Sequence, residues 1–483
     1  MKTAIIGGGV GGMITALYLS QEGHDVTIFE KKKRLGGRLA FVEHEGYKID
    51  EGPTIVLLPD MIFQVLDEVG ICRDELEMLR CDPLYKISYP DGFEFYKWSD
   101  VEKQLAEISE RFPGEEGNFQ KYITDMEERF HQGKRAFLDR PFINKRDFWT
   151  FNNMSILWKL KAYQSVRKQV KSYFDHPKLQ DAFSFQTLYV GGAPFRSPAL
   201  YSLIPFSEHF HGVWYVKGGY ASIVSLFEKK LKENGVKIFT DHHVQSLNMD
   251  NGNCRSISVN GECQSFDWVV MNGDYPMMEK LLPSRKKKQS YTSSSSCLLI
   301  YLGLDRVYEN NTVHQYFMTD NFEEHMKDVF NLKRLPEKPS IYTFHPSVVD
   351  STLAPEGKGV LYILVPVPAN EDIDWSNIDD YVEKVITEVE DRGFEGLGDA
   401  IVWKKVRTPK DALIDGLYQG GSFGIAPTLK QSGVFRPQVK IAPYENVFAV
   451  GASVHPGGGI PIVMQGAKLL AEHLLHEELV RSS

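Results

Sequence analysis

Apolar and polar positions switch between two periods along this chain, and the switches mark its elements. Thr3 to Ile6 is a short apolar run rich in β-branched residues, which predicts a buried strand. Met13 to Ser20 carries helix-forming residues, with Gly23 where a helix C-cap belongs. Asp25 to Phe29 is a second β-rich run. From Pro59 to about Phe130 the pattern is mostly that of amphipathic helices. A β-like stretch from Tyr85 to Tyr96 interrupts it, turning on Pro90-Asp91-Gly92. Ala182 to Phe210 is apolar, but Pro194, Pro198 and Pro205 predict that it breaks into short pieces. Val213–Val216, Val236–Phe239 and the run around Val244 read as strands, and Ala221–Asn234 as a helix. Arg255–Val259, Asn260-Gly261 and Glu262–Phe266 spell a hairpin. Val269–Met271 reads as a buried strand, and Ser293 opens a long strand through CLLIYLGL. Gly359–Val365 and Ile401–Val406 follow as strands and Ile378–Arg392 as a helix; Val447–Val450 and Ile462–Glu478 close the chain as strand and helix.

Two glycine loops sit at strand-to-helix junctions in this pattern. Gly7, Gly9 and Gly12 fit G-x-G-x-x-G between the first strand and the first helix, and Glu30 ends the second strand 18 positions beyond Gly12. In such a unit the first glycine permits the tight turn and the second lets a pyrophosphate approach the backbone. The third lets helix and strand pack closely, and the acid accepts hydrogen bonds from ribose hydroxyls. The helix N-terminus offers free N–H groups and the positive end of a dipole to the phosphates. Gly36-Gly37-Arg38 and Gly52-Pro53 come next, spaced like further contacts along one extended dinucleotide, with Arg38 available to an anion. The second loop, Gly451 to Pro461, opens the last helix, where backbone N–H groups suit a negative charge: that of a phosphate or, since the first loop already serves the phosphates, that of a reduced flavin.

Composition narrows the classes. The chain has 483 residues, 42% hydrophobic and 25% charged, enough for two or three domains' worth of core. A net charge of −9 speaks against a nucleic-acid partner. Cys72, Cys81, Cys254, Cys263 and Cys297 form no C-x-x-C pair and are odd in number, so neither a disulfide framework nor a metal site is expected. The first strand begins at once, no apolar run reaches about 18 residues, and a cytoplasmic protein without leader or membrane span is expected. Lys145 to Lys178 holds eight Lys/Arg among Phe148, Trp149, Phe151, Trp158, Tyr163, Tyr173 and Phe174. That composition suits a helical stretch lying on a membrane surface, rings down and amines on phosphates, and equally suits an amphipathic helix packed on its own domain. Glu208, His209 and His211 are the carboxylate and imidazoles in or beside the apolar segment. They are the candidates for acid–base work, against the commoner fate of a satisfied buried or surface side chain.

GGGVGG…FEKKKRLGGR near the start and GASVHPGGGIPIV near the end resemble the bacterial carotenoid desaturase family, flavoproteins that share a fold with amine oxidases. FQTLYVGGAPFRSPALYSLIP (Phe185 to Pro205) and GSFGIAPTLKQS (Gly421 to Ser432) resemble the branch acting on dehydrosqualene; Trp214 to Gly219 suits that branch or a sister branch that oxidises carotenoid ends. The resemblance implies an α/β protein: a Rossmann-like FAD-binding domain of amine-oxidase-like fold, interleaved with an α+β substrate domain. The expected ranges are 1–80, 214–282 and 437–483 for FAD, and 81–213 and 283–436 for substrate and membrane contact. It implies that Gly7, Gly9, Gly12 and Glu30 hold the ADP part of FAD. Arg38, Gly52 and Pro53 would lie toward its ring, Val244 would meet adenine, and Gly451, Ala452, His455, Pro456, Gly459, Ile460 and Pro461 would face the flavin. The implied reaction is desaturation of a long isoprenoid precursor, dehydrosqualene or phytoene, at a membrane surface, with oxygen or a quinone as electron acceptor. The alternatives are a carotenoid terminal oxidase of the same fold and a non-enzymatic escort protein that binds isoprenoid tails.

Overall fold

A computed structural model describes residues 1–143, 145–283 and 290–482, without the side chains of Lys145, Arg481 and Ser482. Residues 144 and 284–289 of the expected substrate domain and residue 483 of the expected FAD domain therefore lie outside the described residues, as does the Lys145 side chain of the basic stretch.

The two β-runs at the start become strands Lys2–Ile6 and Asp25–Phe29, joined by helix Val10–Gln21. They pair in parallel, with Ile5 opposite Ile28, inside a five-stranded sheet of order Val447–Ala449, Trp268–Met271, Lys2–Ile6, Asp25–Phe29, Lys237–Phe239. Every pairing is parallel, so both faces are covered, which is why these strands read as unbroken apolar runs. The first helix ends at Glu22, where Gly23 takes φ +82° and His24 N–H reaches back to the Leu19 carbonyl at 3.1 Å. Helices Ile223–Glu233 and Ile460–Ser482 pack against it. The hairpin is present as Asn253–Val259 and Glu262–Gln264, with Asn260 and Gly261 both at positive φ, the signature of a type I′ turn.

A seven-stranded sheet forms the second layer. Its order is Ile401–Arg407, Ser296–Leu304, Gly359–Val367, Ile341–Phe344, His314–Phe317, Tyr85–Ser88, Glu94–Lys97. Only the pairing of His314–Phe317 with Tyr85–Ser88 is parallel. Ser296–Leu304 is buried throughout and has two jobs. Leu298, Ile300, Leu302 and Leu304 pack under helix Asp379–Gly393, which presents Val382, Val385, Ile386 and Val389 at i, i+3, i+4, i+7. Cys297, Leu299 and Tyr301 face the other way, into a core shared with Tyr316, Tyr342 and Tyr362. Burial of each large apolar side chain there is worth about 1.5–3 kcal/mol.

The stretch Lys145 to Lys178 is a chain of short helices rather than one amphipathic helix: Lys145–Phe148, Phe151–Lys159, Val166–Val170 and, beginning within it, Pro177–Ala182. In its second half Lys168 and Lys171 are exposed, but the aromatic side chains and one of the cations turn inward. Tyr173 and Phe174 are buried, and Arg167 is buried in an ion pair with Asp181 at 2.6 Å. The exposed aromatics are confined to Trp149 (55% exposed), Phe151 (93%), Trp158 (71%) and Tyr163 (56%), with Lys159 beside them. No described helix is long and apolar enough to cross a membrane.

Candidate functional site

The first glycine loop leaves the carboxyl end of a central strand. Gly7 has φ +104°, and a Cβ there would stand 2.1 Å from the Asn272 carbonyl oxygen. A Cβ on Gly12 would stand 2.4 Å from the Gly7 carbonyl oxygen. Gly9 differs: it caps the helix at φ −74°, ψ 174°, and its Cβ would meet only the Asn272 amide nitrogen, at 3.3 Å. The space over Gly9 is open to a ligand, as a close approach to pyrophosphate requires. Glu30 braces the loop, accepting the Gly8 N–H at 2.7 Å and the Lys32 N–H at 2.8 Å. Asn272 clamps it from the neighbouring strand, its Nδ2 donating to the Gly7 and Gly9 carbonyls at 2.8 and 3.2 Å. Gly36 and Gly37, both at positive φ, pack on this loop, with the Gly36 N–H on the Gly8 carbonyl at 2.8 Å.

The second loop runs from Gly451 to the start of the last helix at Ile460. Gly451, Gly457 and Gly459 have φ of +126°, +142° and +100°, and a Cβ on Gly457 would meet nothing within 4 Å. The loop is anchored from behind. Ser453 Oγ donates to Asp274 at 2.5 Å, and the buried Arg436 donates to the Ala452 carbonyl at 2.5 Å. Asp274 also accepts the Tyr418 N–H at 2.8 Å. His455 is buried, with Nε2 on the Arg140 carbonyl at 3.1 Å; burial pushes its pKa down to about 4. The ring is therefore neutral, the carbonyl fixes the proton on Nε2, and Nδ1 has no hydrogen-bond partner among the described residues.

Both loops line one cavity of about 1310 Å³, above the roughly 300–1,000 Å³ of a small-molecule site. Gly7, Gly9, Glu30, Arg38, Gly52, Pro53, Val244, Gly451, Ala452, His455, Pro456, Gly459, Ile460 and Pro461 all reach it. Gly12 does not line it, in keeping with a packing role. Arg38 crosses toward the second loop and donates to the Ser422 carbonyl at 2.7 Å. From there the cavity continues over the seven-stranded sheet, past Cys297, Leu299, Tyr316, Tyr342 and Tyr362. Its lining also includes the exposed Trp149, Trp158 and Tyr163.

None of Glu208, His209 and His211 lines that cavity. Glu208 is fully buried and accepts from Tyr85 at 2.6 Å, Tyr189 at 2.8 Å and Gln186 at 3.1 Å. Its reach to the cavity is indirect, through Tyr189. His209 bonds the Trp98 carbonyl at 2.7 Å and stacks on Phe183, and burial holds its pKa well below the ordinary value. His211 lies 3.9 Å from Asp60 against the Phe130 ring. Each histidine packs against aromatic rings, His209 on Phe183 and His211 on Phe130, and neither is part of the cavity lining.

Comparison with known proteins agrees with this architecture. The profile of the flavin containing amine oxidoreductases matches residues 10–475. The chain belongs to that family. It is 54% identical over 478 residues, 99% of this chain and 97% of the relative, to the 4,4'-diapolycopen-4-al dehydrogenase of Metabacillus indicus. It is 32% identical over 502 residues, 99% of both chains, to the 4,4'-diapophytoene desaturase (4,4'-diaponeurosporene-forming) of Staphylococcus aureus strain Newman. Putrescine oxidase bound to putrescine has the same fold, with a TM-score of 0.65 at 12% identity over 99% of both chains.

The protein is thus an oxidoreductase of the amine-oxidase fold in the carotenoid desaturase group, and FAD is its cofactor. The residues present fit that group: an open cradle over Gly9, an acid beside it, and a second glycine loop at a helix N-terminus. Sequence reasoning missed the supports. Asn272 and Asp274 had a readable signal, because they follow a buried parallel strand at its carboxyl end, where open α/β sheets bind ligands. Arg436 and the tyrosines of the cavity wall had none, since their partners are far away in sequence.

Proposed function

We propose that the protein desaturates a long isoprenoid polyene precursor, dehydrosqualene or phytoene, in carotenoid biosynthesis. The observation that carries this reading is one cavity whose largely apolar lining joins both glycine loops, the face of the seven-stranded sheet and exposed aromatic residues. Gly7, Gly9, Gly12 and Glu30 would hold the ADP part of FAD, with Val244 at adenine. Arg38, Gly52, Pro53, Gly451, Ala452, His455, Pro456, Gly459, Ile460 and Pro461 would lie around its ring. Bound there, FAD supplies a two-electron acceptor for a substrate C–H bond, reoxidised by oxygen or a quinone. The chain's own part is to exclude water, to align the polyene against the sheet face, and to keep His455 neutral beside the cofactor loop.

The domains of this reading are 1–80, 214–282 and 437–483 for the cofactor, and 81–213 and 283–436 for substrate. The strand sources support the division: the five-stranded sheet draws on residues 2–29, 237–271 and 447–449, and the seven-stranded sheet on 85–97 and 296–407. The exposed Trp149, Trp158 and Tyr163 of the cavity lining, with Phe151, Lys159 and Lys161 beside them, would rest on the cytoplasmic face of a membrane and admit substrate from it. A second reading, oxidation at the end of an already conjugated polyene, is favoured by the 54% identical dehydrogenase. The test is purified protein with FAD, liposomes and dehydrosqualene or phytoene, under air or with a quinone and without nicotinamide. Desaturation gives a stepwise shift of absorbance to longer wavelength with no oxygen gained by mass. Inertness toward both precursors, with oxidation of a polyene aldehyde, replaces the first reading with the second.

A further inference from the structure

The cavity wall carries a polar feature that a pure hydrocarbon does not require. Tyr189 and Tyr316 both line the cavity, amid Phe185, Leu188, Met318 and Phe322. Their hydroxyls are 2.8 Å apart. Tyr189 donates its own proton to Glu208, so in the contact between the two tyrosines Tyr316 is the donor. Behind them Glu208 is fully buried and also holds Tyr85 and Gln186, with the buried Lys97 as the nearest cation. A buried carboxylate is costly to keep, and here its hydrogen bonds fix the orientation of Tyr189 and, through it, of Tyr316. Burial raises the pKa of both tyrosines well above the ordinary value, so each remains a neutral hydroxyl. Tyr316 can turn its proton from Tyr189 to the cavity while Glu208 keeps all its partners, and its oxygen can also accept a proton from a ligand hydroxyl.

We propose that Tyr189 and Tyr316 form a terminal-oxygen site, which takes the hydroxyl or aldehyde oxygen at the end of a long polyene, with Glu208 as its positioning residue. This rests on the reading of the cavity as a polyene site and commits to an oxygenated polyene as one of its ligands. The ring of Tyr316 stands 5.0 Å from that of Tyr342, whose hydroxyl is 2.8 Å from Thr54 Oγ1. Thr54 directly follows Gly52-Pro53, so an oxygen held by Tyr316 lies on the side of the cavity where those residues reach it.

The test uses the FAD-loaded protein, its flavin reduced under argon so that nothing turns over. It is titrated with two polyenes of equal length and conjugation, one a hydrocarbon and one carrying a terminal aldehyde. One neutral hydrogen bond predicts about five-fold tighter binding of the aldehyde. The carbonyl stretch in its Raman spectrum should move to lower frequency on binding, and Tyr316→Phe should abolish both the preference and the move. Equal affinities with an unmoved carbonyl in the unaltered protein overturn the oxygen site while leaving the polyene reading intact. Retention of both effects in Tyr316→Phe also overturns it. Failure of either polyene to bind overturns the polyene reading and this inference with it. If Tyr316→Phe does not load flavin, the carbonyl stretch in the unaltered protein decides alone.

Discussion

Replacing Gly9 with Val separates a ligand-facing glycine from a structural one in the same loop. At φ −74°, ψ 174° a valine backbone is unstrained, and the Cβ meets only the Asn272 amide at 3.3 Å. The loss of unfolded-state freedom on replacing Gly stabilises by about 0.4–1 kcal/mol. Displacing the Asn272 amide from one carbonyl costs about 1 kcal/mol. The two nearly cancel, so the apoprotein should melt within about 2–4 °C of the unaltered apoprotein. Gly12→Ala, whose Cβ would stand 2.4 Å from a backbone oxygen, should instead lose about 1–3 kcal/mol with or without cofactor. Flavin binding reverses the order. At FAD one hundred times Kd, linkage adds about 2.7 kcal/mol to the unaltered protein, and Gly9→Val should gain none of it. Flavin absorbance per chain and melting curves with and without FAD report both quantities. A Gly9→Val protein that purifies with full flavin refutes the cradle, and one whose apo form melts far below the unaltered apo form refutes the open space above Gly9.

Asn272→Ala removes both bonds that clamp the first loop and should weaken FAD binding by roughly ten-fold, read by equilibrium dialysis. Arg167→Gln leaves the half-buried Asp181 without its ion-pair partner and should cost about 1–3 kcal/mol in urea unfolding, with liposome binding unchanged at temperatures where it is folded. Trp149→Ala with Trp158→Ala should reduce co-sedimentation with anionic liposomes, and equal sedimentation of both forms removes these exposed aromatics from the argument. Burial lowers the Lys97 pKa to about 7, against about 10.4 unfolded. The unfolded chain therefore binds the extra proton between those values, and stability should rise from pH 7 to pH 10. Lys97→Met should flatten that rise relative to the unaltered protein, measured as melting temperature against pH.

The elements legible in the sequence are those whose pattern is local. The first strand–helix–strand unit, the Asn260-Gly261 hairpin and the long strand after Ser293 were all readable, because apolar period and turn chemistry coincide there. The same holds for the glycine loops, whose open space is written in glycine itself. In the basic stretch, charge and aromaticity do not report partners: Arg167 faces Asp181, and Tyr173 donates to Asp125, 48 positions away. Glu208 was noticed for its setting, yet the network it anchors reaches Tyr316, more than a hundred positions downstream, through Tyr189.

The last helix and the first lie side by side, and the strand before the last helix completes the edge of the five-stranded sheet. During synthesis this makes the end of the chain a deadline. Until Val447–Ala449 emerges from the ribosome, Trp268–Met271 is an open edge with unpaired backbone groups, a template for pairing with another chain. Until Ile460–Ser482 follows, one side of the first helix is bare. A truncated chain would thus carry a complete first glycine loop and still be a hazard to its neighbours, so chains stopped before residue 447 should aggregate rather than persist as smaller flavoproteins.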